Sequence, residues 1–223
     1  MTRPDALIFD FDGLICDTEA CLLESARKVF ARFGAPFPSD KWLDTIGTAS
    51  PRNFWIPWLE EGVGDSIDER EALAEFEEHN RVAVAQLVPN RGVVELLDIA
   101  QEEGIAVGIA SSSSRSWVSG LLDQLGIGSR FAHLLTRDDV THAKPAPDLY
   151  LLAAERFATQ PRRCIAFEDS FNGSLAAVRA GMPCVVVPSE LTTHQDLSHA
   201  SHRVGHLGEV TMALLRRLNA NAA

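Results

Sequence analysis

Four short, continuous apolar runs constrain the fold of this chain more than any other feature. They cover residues 6–9, 105–110, 164–167 and 184–187, and a weaker fifth run covers 131–136. None of the four alternates apolar with polar residues, as a strand with one solvated face would. Continuous apolar strands are typical of a parallel sheet that is covered on both faces.

Segments with helical spacing of apolar residues lie between these runs. Residues 118–125 form one such segment, which ends at Gly126, and residues 93–100 form another, followed by Gly104. Glycine is a frequent residue just after the end of a helix. Alternation of strands and helices with short connections predicts an α/β fold with a doubly wound, Rossmann-like parallel sheet.

The stretch from residue 18 to residue 87 interrupts this alternation. It contains no convincing strand. A helical stripe of apolar residues runs through 22–33, and the residue types at 69–87 also favour a helix. We therefore predict an all-helical cap domain at 18–87, inserted into an α/β core of 1–17 and 88–223. Two covalent links between the domains would permit hinged closure.

Composition excludes several classes of protein. An apolar fraction of 46% is too high for a disordered chain, and no apolar run approaches the roughly 18 residues of a membrane span. A net charge of −11 argues against nucleic-acid binding, because such a field repels phosphate backbones. The 4 cysteines form no CxxC pair, which favours reduced thiols in a cytoplasmic protein. The acidic surface, without an obvious apolar interface, favours a monomer.

Polar residues follow the predicted strands at the places where ligands bind in open parallel sheets. Each has a plain structural alternative. The acids at 10 and 12 could form a turn at the end of a strand, the serines at 111–114 and the acids at 168–169 could cap helices, and the lysine could lie in a solvated loop. Together, however, they predict one rim that carries carboxylates, hydroxyls and an ammonium group. The residues are Asp10, Asp12, Ser111, Ser112, Lys144, Glu168 and Asp169.

These residue types suit phosphoryl transfer. Crowded carboxylates repel one another and favour a divalent cation, and oxygen ligands without histidine or cysteine favour Mg²⁺. One carboxylate can attack phosphorus to form an acyl phosphate. A second can protonate the leaving oxygen and then deprotonate water, while a lysine offsets the charge of the phosphoryl oxygens.

Four ordered motifs resemble those of the haloacid dehalogenase superfamily, phosphatase branch. They are IFDFDG at 8–13, IAS at 109–111, KPAPD at 144–148 and FEDSFNG at 167–173. The segments CDTE at 16–19 and AAVRAGM at 176–182 are similar to the β-phosphoglucomutase and phosphoglycolate-phosphatase-like subgroup. The resemblance implies a phosphoric monoester hydrolase with a mobile four-helix cap.

The resemblance also implies a role for each matching residue. Asp10 would be the nucleophile, and Asp12 the general acid and base. Ser111 and Ser112 would bind the transferring phosphoryl group, and Lys144 would steady both Asp10 and the phosphate.

The implied metal is Mg²⁺, and its ligands come from the same motifs. Asp10 and Asp169 would bind it through their side chains, and Asp12 through its backbone carbonyl. Glu168 would bind it directly or through water.

Residues near the predicted cap are candidates for contacts with the substrate. Asp17 and Glu19 lie at the expected hinge, where capping of the first cap helix is the alternative interpretation. Thr48, Ser50 and Arg52 lie in the expected cap loop, where a surface ion pair is the alternative for the arginine.

The expected function is hydrolysis of a small phosphorylated metabolite, such as a sugar phosphate or a phosphoglycolate-like acid, through an aspartyl-phosphate. The main alternative is a sugar phosphomutase similar to β-phosphoglucomutase. Such mutases carry a hinge histidine, which residues 18–23 lack, and Arg52 is displaced from their cap-loop pattern. A receiver-like signalling module is a remote alternative, because its acidic residues come in a different order. No nucleic-acid or membrane partner is expected.

Overall fold

The computed structural model describes residues 2–47 and 53–221, and the side chain of Asn221 is not described. The strands in this part of the chain are β1 (Ala6–Phe9), β2 (Ala106–Ser111), β3 (His133–Thr136), β4 (Cys164–Glu168), β5 (Cys184–Val186) and β6 (His202–Arg203). The helices are α1 (Thr18–Arg32), α2 (Ser39–Leu43), α3 (Ile56–Val63), α4 (Glu69–Val84), α5 (Val93–Glu102), α6 (Arg115–Leu125), α7 (Asp148–Arg156), α8 (Phe171–Arg179) and α9 (Met212–Asn221).

The strands form one parallel sheet in the order β3-β2-β1-β4-β5-β6. The five predicted apolar runs are its first five strands, so the predicted α/β, doubly wound fold is confirmed. Strand β6 was not predicted, because its two residues, His202 and Arg203, carry no apolar signal. It forms the edge of the sheet beside β5.

Burial on both faces explains the continuous apolar runs. All four residues of β1 are buried. Phe9 stacks on Phe167 with ring centroids 4.9 Å apart, whereas Ile8 belongs to a core cluster with Leu149 and Ala176 from the flanking helices α7 and α8. Removing this apolar surface from water is the main force that holds helices against the sheet.

The described residues fall into two compact units. One comprises residues 2–16, 47 and 88–221 and contains the sheet, and the other comprises 17–46 and 53–87. The second unit contains α1–α4, and its assignment as a cap over residues 18–87 stays a prediction. Within this unit, Arg32 of α1 contacts Glu71 and Glu75 of α4 at 3.2 and 3.0 Å.

Side-chain caps define where several helices begin. Ser114 caps α6 through the N–H of Trp117, as expected for the serine run, and α6 ends at Gly126 with a left-handed φ of 69°. The structural alternative, in which Glu168 and Asp169 cap the following helix, is wrong. Ser170 caps α8, because its hydroxyl accepts the N–H of Gly173 at 3.3 Å.

Within residues 2–47 and 53–221, no helix combines the length and the apolar character needed to cross a lipid bilayer.

Candidate active site

The adjacent ends of β1 and β4 bring three carboxylates together. The Asp10 N–H donates to the Phe167 carbonyl at 2.9 Å, which holds the end of β1 against β4. One carboxylate oxygen from each of Asp10, Glu168 and Asp169 lies within 4.8 Å of the other two. These residues are 7%, 0% and 2% exposed, so the cluster is shielded from water.

Lys144 enters this cluster from the loop before α7. Its Nζ lies 2.5 Å from Asp10 Oδ1 and 2.6 Å from Glu168 Oε1. The alternative of a solvated loop lysine is wrong, because Lys144 is buried. A single ammonium group therefore bridges residues that are far apart in sequence.

Tyr150 supports the cluster and was not predicted from the sequence. Its hydroxyl donates to Glu168 Oε1, and Lys144 Nζ lies 5.3 Å from its ring centroid. The available signal was a lone tyrosine in the apolar stripe of α7, because a buried tyrosine hydroxyl needs a hydrogen-bond partner. Tyr150 thus fixes Glu168 Oε1, while Oε2 has no hydrogen-bond partner among the described residues.

Burial and mutual repulsion control the charges here. Burial, and then the Glu168 carboxylate, raise the pKa of Asp10 to about 7, although Lys144 opposes this shift. Burial alone would lower the pKa of Lys144, but Asp10 and Glu168 outweigh it and raise that pKa. Burial and Glu168 raise the pKa of Tyr150 well above its usual value. One ammonium does not neutralise three carboxylates, so the cluster could hold a further cation.

The residues present fit a hard divalent cation. Glu168 Oε2 is buried and has no hydrogen-bond partner among the described residues, which is costly unless a ligand completes it. The donor set contains only oxygen atoms, as Mg²⁺ and Ca²⁺ require. Asp10, Glu168 and Asp169 could therefore hold a metal ion.

Two glycines keep space for the carboxylates. A Cβ at Gly173 would lie 1.9 Å from Glu168 Oε2, and a Cβ at Gly13 would lie 2.3 Å from Asp169 Oδ2. Gly13 also has a φ of 80°, which disfavours any side chain. Both positions therefore require glycine to keep the cluster assembled.

Gly173→Ala is expected to displace Glu168. The added methyl group cannot share space with Oε2, so we expect the free energy of unfolding to fall by about 1–3 kcal/mol. Denaturant titration measures this change. Gly120→Ala in α6 is the matched control, because nothing lies within 4 Å of its Cβ and alanine favours a helix interior. Equal stability of the two variants would contradict the steric argument.

Asp12 is held at the end of β2 rather than in the carboxylate cluster. Its Oδ2 accepts the Ser113 hydroxyl at 2.6 Å and a longer contact from Ser111 at 3.4 Å. Its Oδ1 accepts the Trp117 indole N–H at 2.9 Å. Sequence reasoning assigned no role to Ser113 or Trp117, and the position of Ser113 inside the serine run was the only available signal.

The two predicted phosphate-binding serines lie beside Asp12 at the end of β2. Ser111 is buried, and its hydroxyl accepts the Ser113 N–H at 3.0 Å. The Ser112 hydroxyl is buried without a hydrogen-bond partner among the described residues. That hydroxyl is therefore available to a ligand.

Of the predicted substrate-contacting residues near the predicted cap, the structure describes Asp17 and Glu19. Asp17 is exposed and caps α1 by accepting the Ala20 N–H at 3.2 Å, so its structural interpretation is confirmed. Glu19 lies in the first turn of the same helix. Thr48, Ser50 and Arg52 lie outside the described residues.

Buried carboxylates at the ends of the central strands β1 and β4, with Lys144 beside them, lie where open parallel α/β sheets bind their ligands. Residues 7–187 match the family described as haloacid dehalogenase-like hydrolase. The chain belongs to this family, and the resemblance drawn from its motifs is confirmed.

Relatives with similar sequences or folds cover almost the whole chain. A Bacillus subtilis (strain 168) protein provisionally named phosphatase YhcW is 42% identical over 211 residues, which are 94% of this chain and 95% of that protein. The phosphorylated carbohydrates phosphatase of Thermotoga maritima is 32% identical over 183 residues, covering 80% of this chain and 82% of that protein. A Thermotoga maritima crystal structure, provisionally called beta-phosphoglucomutase, has a TM-score of 0.78 and 29% identity, covering 97% and 99% of the two chains.

Proposed function

We propose that this enzyme is a Mg²⁺-dependent phosphatase that hydrolyses phosphate esters of small carbohydrates through an aspartyl-phosphate on Asp10. The observation that carries the proposal is the placement of Asp10, buried between Lys144 and the acids Glu168 and Asp169. The similarity to two proteins named as phosphatases, one of them for phosphorylated carbohydrates, supports this reaction and substrate class.

In the first step, the Asp10 carboxylate attacks the phosphorus atom and the bond to the sugar oxygen breaks. Lys144 holds Asp10 Oδ1 in place and offsets the repulsion between the carboxylate and the phosphoryl oxygens. The Ser111 and Ser112 groups bind the phosphoryl oxygens, and the Ser112 hydroxyl has no competing partner among the described residues. When bound, Mg²⁺ adds positive charge beside these oxygens.

Asp12 acts as an acid in this step and as a base in the next. It gives a proton to the leaving sugar oxygen, and then removes a proton from the water that attacks the aspartyl-phosphate. Hydrolysis releases inorganic phosphate and restores the Asp10 carboxylate. Glu168 and Asp169 would hold the metal ion, and Tyr150 fixes the Glu168 side chain.

A sugar phosphomutase is the second candidate, because the similar Thermotoga maritima structure bears that provisional name. A mutase must protect its aspartyl-phosphate from water, whereas a phosphatase need not. The absence of a histidine from residues 18–23 favours hydrolysis. A monomeric state and a cytoplasmic location stay predictions.

Product analysis separates these two functions. We expect stoichiometric release of inorganic phosphate from phosphorylated carbohydrates in a panel that also contains phosphoglycolate. In a parallel reaction, β-glucose 1-phosphate is supplied with glucose 1,6-bisphosphate, and both glucose 6-phosphate and inorganic phosphate are quantified. Glucose 6-phosphate with little free phosphate would establish the mutase and reject the phosphatase.

A further inference from the structure

Each oxygen of the Asp12 carboxylate accepts a hydrogen bond from a residue to which the mechanism above gives no role, in addition to the longer contact from Ser111 to Oδ2. The Ser113 hydroxyl donates to Oδ2 at 2.6 Å, and the Trp117 indole N–H donates to Oδ1 at 2.9 Å. Trp117 lies in the first turn of α6, and its backbone N–H donates to the capping hydroxyl of Ser114 at 3.4 Å. The tryptophan ring is therefore attached to a helix terminus that is itself capped.

We propose that Ser113 and Trp117 are positioning residues that orient Asp12 for proton transfer to and from the substrate. This proposal rests on the proposed function, because it assumes that Asp12 is the acid and base of the reaction. A carboxylate bonded on one oxygen can still rotate about its side-chain torsion. Donors on both oxygens fix the plane of the group, and a small misplacement of an acid is costly in rate.

The two groups that bond to Asp12 differ in their hydrogen-bonding capacity. An indole N–H only donates, so Trp117 holds Oδ1 as an acceptor in both protonation states of Asp12. A hydroxyl both donates and accepts, so Ser113 can donate to the carboxylate and accept from the carboxylic acid. The proton of the acid is therefore held at Oδ2.

Proton transfer then follows a balanced cycle at one atom. In the first step, the Oδ2–H turns from the Ser113 hydroxyl to the leaving sugar oxygen and the proton is transferred there. The Ser113 hydroxyl then turns to donate to the new carboxylate. In the second step, the attacking water returns a proton to Oδ2, and the Ser113 hydroxyl turns back to accept it. Trp117 keeps its bond to Oδ1 throughout, so the carboxyl plane does not move.

Leaving groups of different basicity distinguish this role from a purely structural one. A nitrophenolate can leave without being protonated, whereas an alkoxide needs a proton from an acid as it leaves. Loss of positioning should therefore slow alkyl phosphates more than nitrophenyl phosphate. A general structural defect would slow both substrates by the same factor.

The test measures kcat/KM of the full-length enzyme with Mg²⁺ on 4-nitrophenyl phosphate, phenyl phosphate and a sugar phosphate from the active panel. This parameter reports the steps up to formation of the aspartyl-phosphate, so it isolates the acid role of Asp12. For Trp117→Phe and Ser113→Ala we expect a loss of about 10- to 100-fold on the sugar phosphate and less than about 3-fold on the nitrophenyl ester. Ser113→Thr keeps the hydroxyl and should retain most of the rate.

Two further variants make the result decisive. Ser119→Ala is the matched control, because its hydroxyl donates to the Ser116 carbonyl on the same helix, at 3.4 Å, and not to Asp12. It should behave as wild type. Asp12→Asn should show the steepest dependence on the leaving group.

Each outcome has a separate meaning. Equal losses on all substrates in the Trp117 and Ser113 variants, with Asp12→Asn still selective, would overturn the positioning role and leave the proposed function intact. Unchanged leaving-group dependence in Asp12→Asn would instead reject Asp12 as the acid, and the proposed mechanism with it. If Trp117→Phe fails to fold, Ser113→Ala and Ser113→Thr decide the question.

Discussion

Asp10→Asn is expected to abolish phosphate release, with a loss on the order of 10³-fold or more. The amide is a poor nucleophile, so no aspartyl-phosphate forms. Steady-state phosphate release measures the loss, and acid-quenched enzyme should carry no labelled phosphate after incubation with labelled substrate. Near wild-type activity in this variant would reject the covalent route.

The same variant should not lose activity by unfolding, because we expect it to be more stable than wild type without metal near neutral pH. The folded protein raises the pKa of Asp10 from 3.8 to about 7, mainly through burial. Protonated Asp10 therefore makes its full contribution to the free energy of unfolding below pH 3.8, which is its pKa in the unfolded chain. This contribution is lost as the pH rises through about 7. The asparagine side chain cannot ionise, so the Asp10→Asn variant does not lose stability in this pH range.

Thermal unfolding across pH tests the sign of this effect. With metal removed, we expect Asp10→Asn to raise Tm by roughly 5 °C at about pH 8 and to change it little at about pH 4. Asp98→Asn is the matched control, because Asp98 forms an exposed pair with Arg130. A lower Tm for Asp10→Asn at the higher pH would show that pairing with Lys144 outweighs burial.

Removal of the metal should have the second large effect. Thorough chelation is expected to lower turnover on the order of 10³-fold, and added Mg²⁺ should restore it, because the three carboxylates and the phosphate repel one another without a cation. Turnover before chelation, after it and after Mg²⁺ addition is the measurement. Activity that survives chelation would contradict the metal assignment.

Binding can be followed without turnover. At about 100 times Kd, Mg²⁺ should stabilise the folded protein by about 2.7 kcal/mol, which corresponds to a rise in Tm of roughly 5–10 °C. Glu168→Gln should lose most of this rise, because it removes the carboxylate charge at Oε2, which has no hydrogen-bond partner within the described part of the chain. Glu103→Gln, which alters an exposed pair with Arg216, should retain it. Equal shifts in both variants would exclude Glu168 as a ligand.

Local patterns were sufficient to predict most of the sheet. Runs such as 164–167 are continuous because both faces of a parallel sheet are covered, and this signal needs no knowledge of distant residues. Strand β6 and helix α9 were not predicted. The strand is only two residues long, so it presents no periodic pattern. Helix α9 does carry helical spacing of apolar residues at Leu214, Leu215 and Leu218, so in its case a signal was available in the sequence.

The supporting residues of the site could not be predicted for a different reason. Tyr150 fits the apolar stripe of α7, and Trp117 fits an ordinary capped helix, so each has a complete local explanation. Their polar atoms meet Glu168 and Asp12 only after the chain folds. A contact between residues 105 positions apart leaves no trace in local spacing.

The sequence by itself determined the class of fold, the family and the order of the acidic, hydroxyl and lysine motifs, because these depend on residue types at short spacing. The tertiary structure alone decided that Lys144 bridges Asp10 and Glu168 and that burial raises the pKa of Asp10. The tertiary structure also decided that Ser113 and Trp117 donate hydrogen bonds to Asp12. The physical reason is that charge regulation depends on distance and exclusion of water, and both arise only when strands distant in sequence become neighbours.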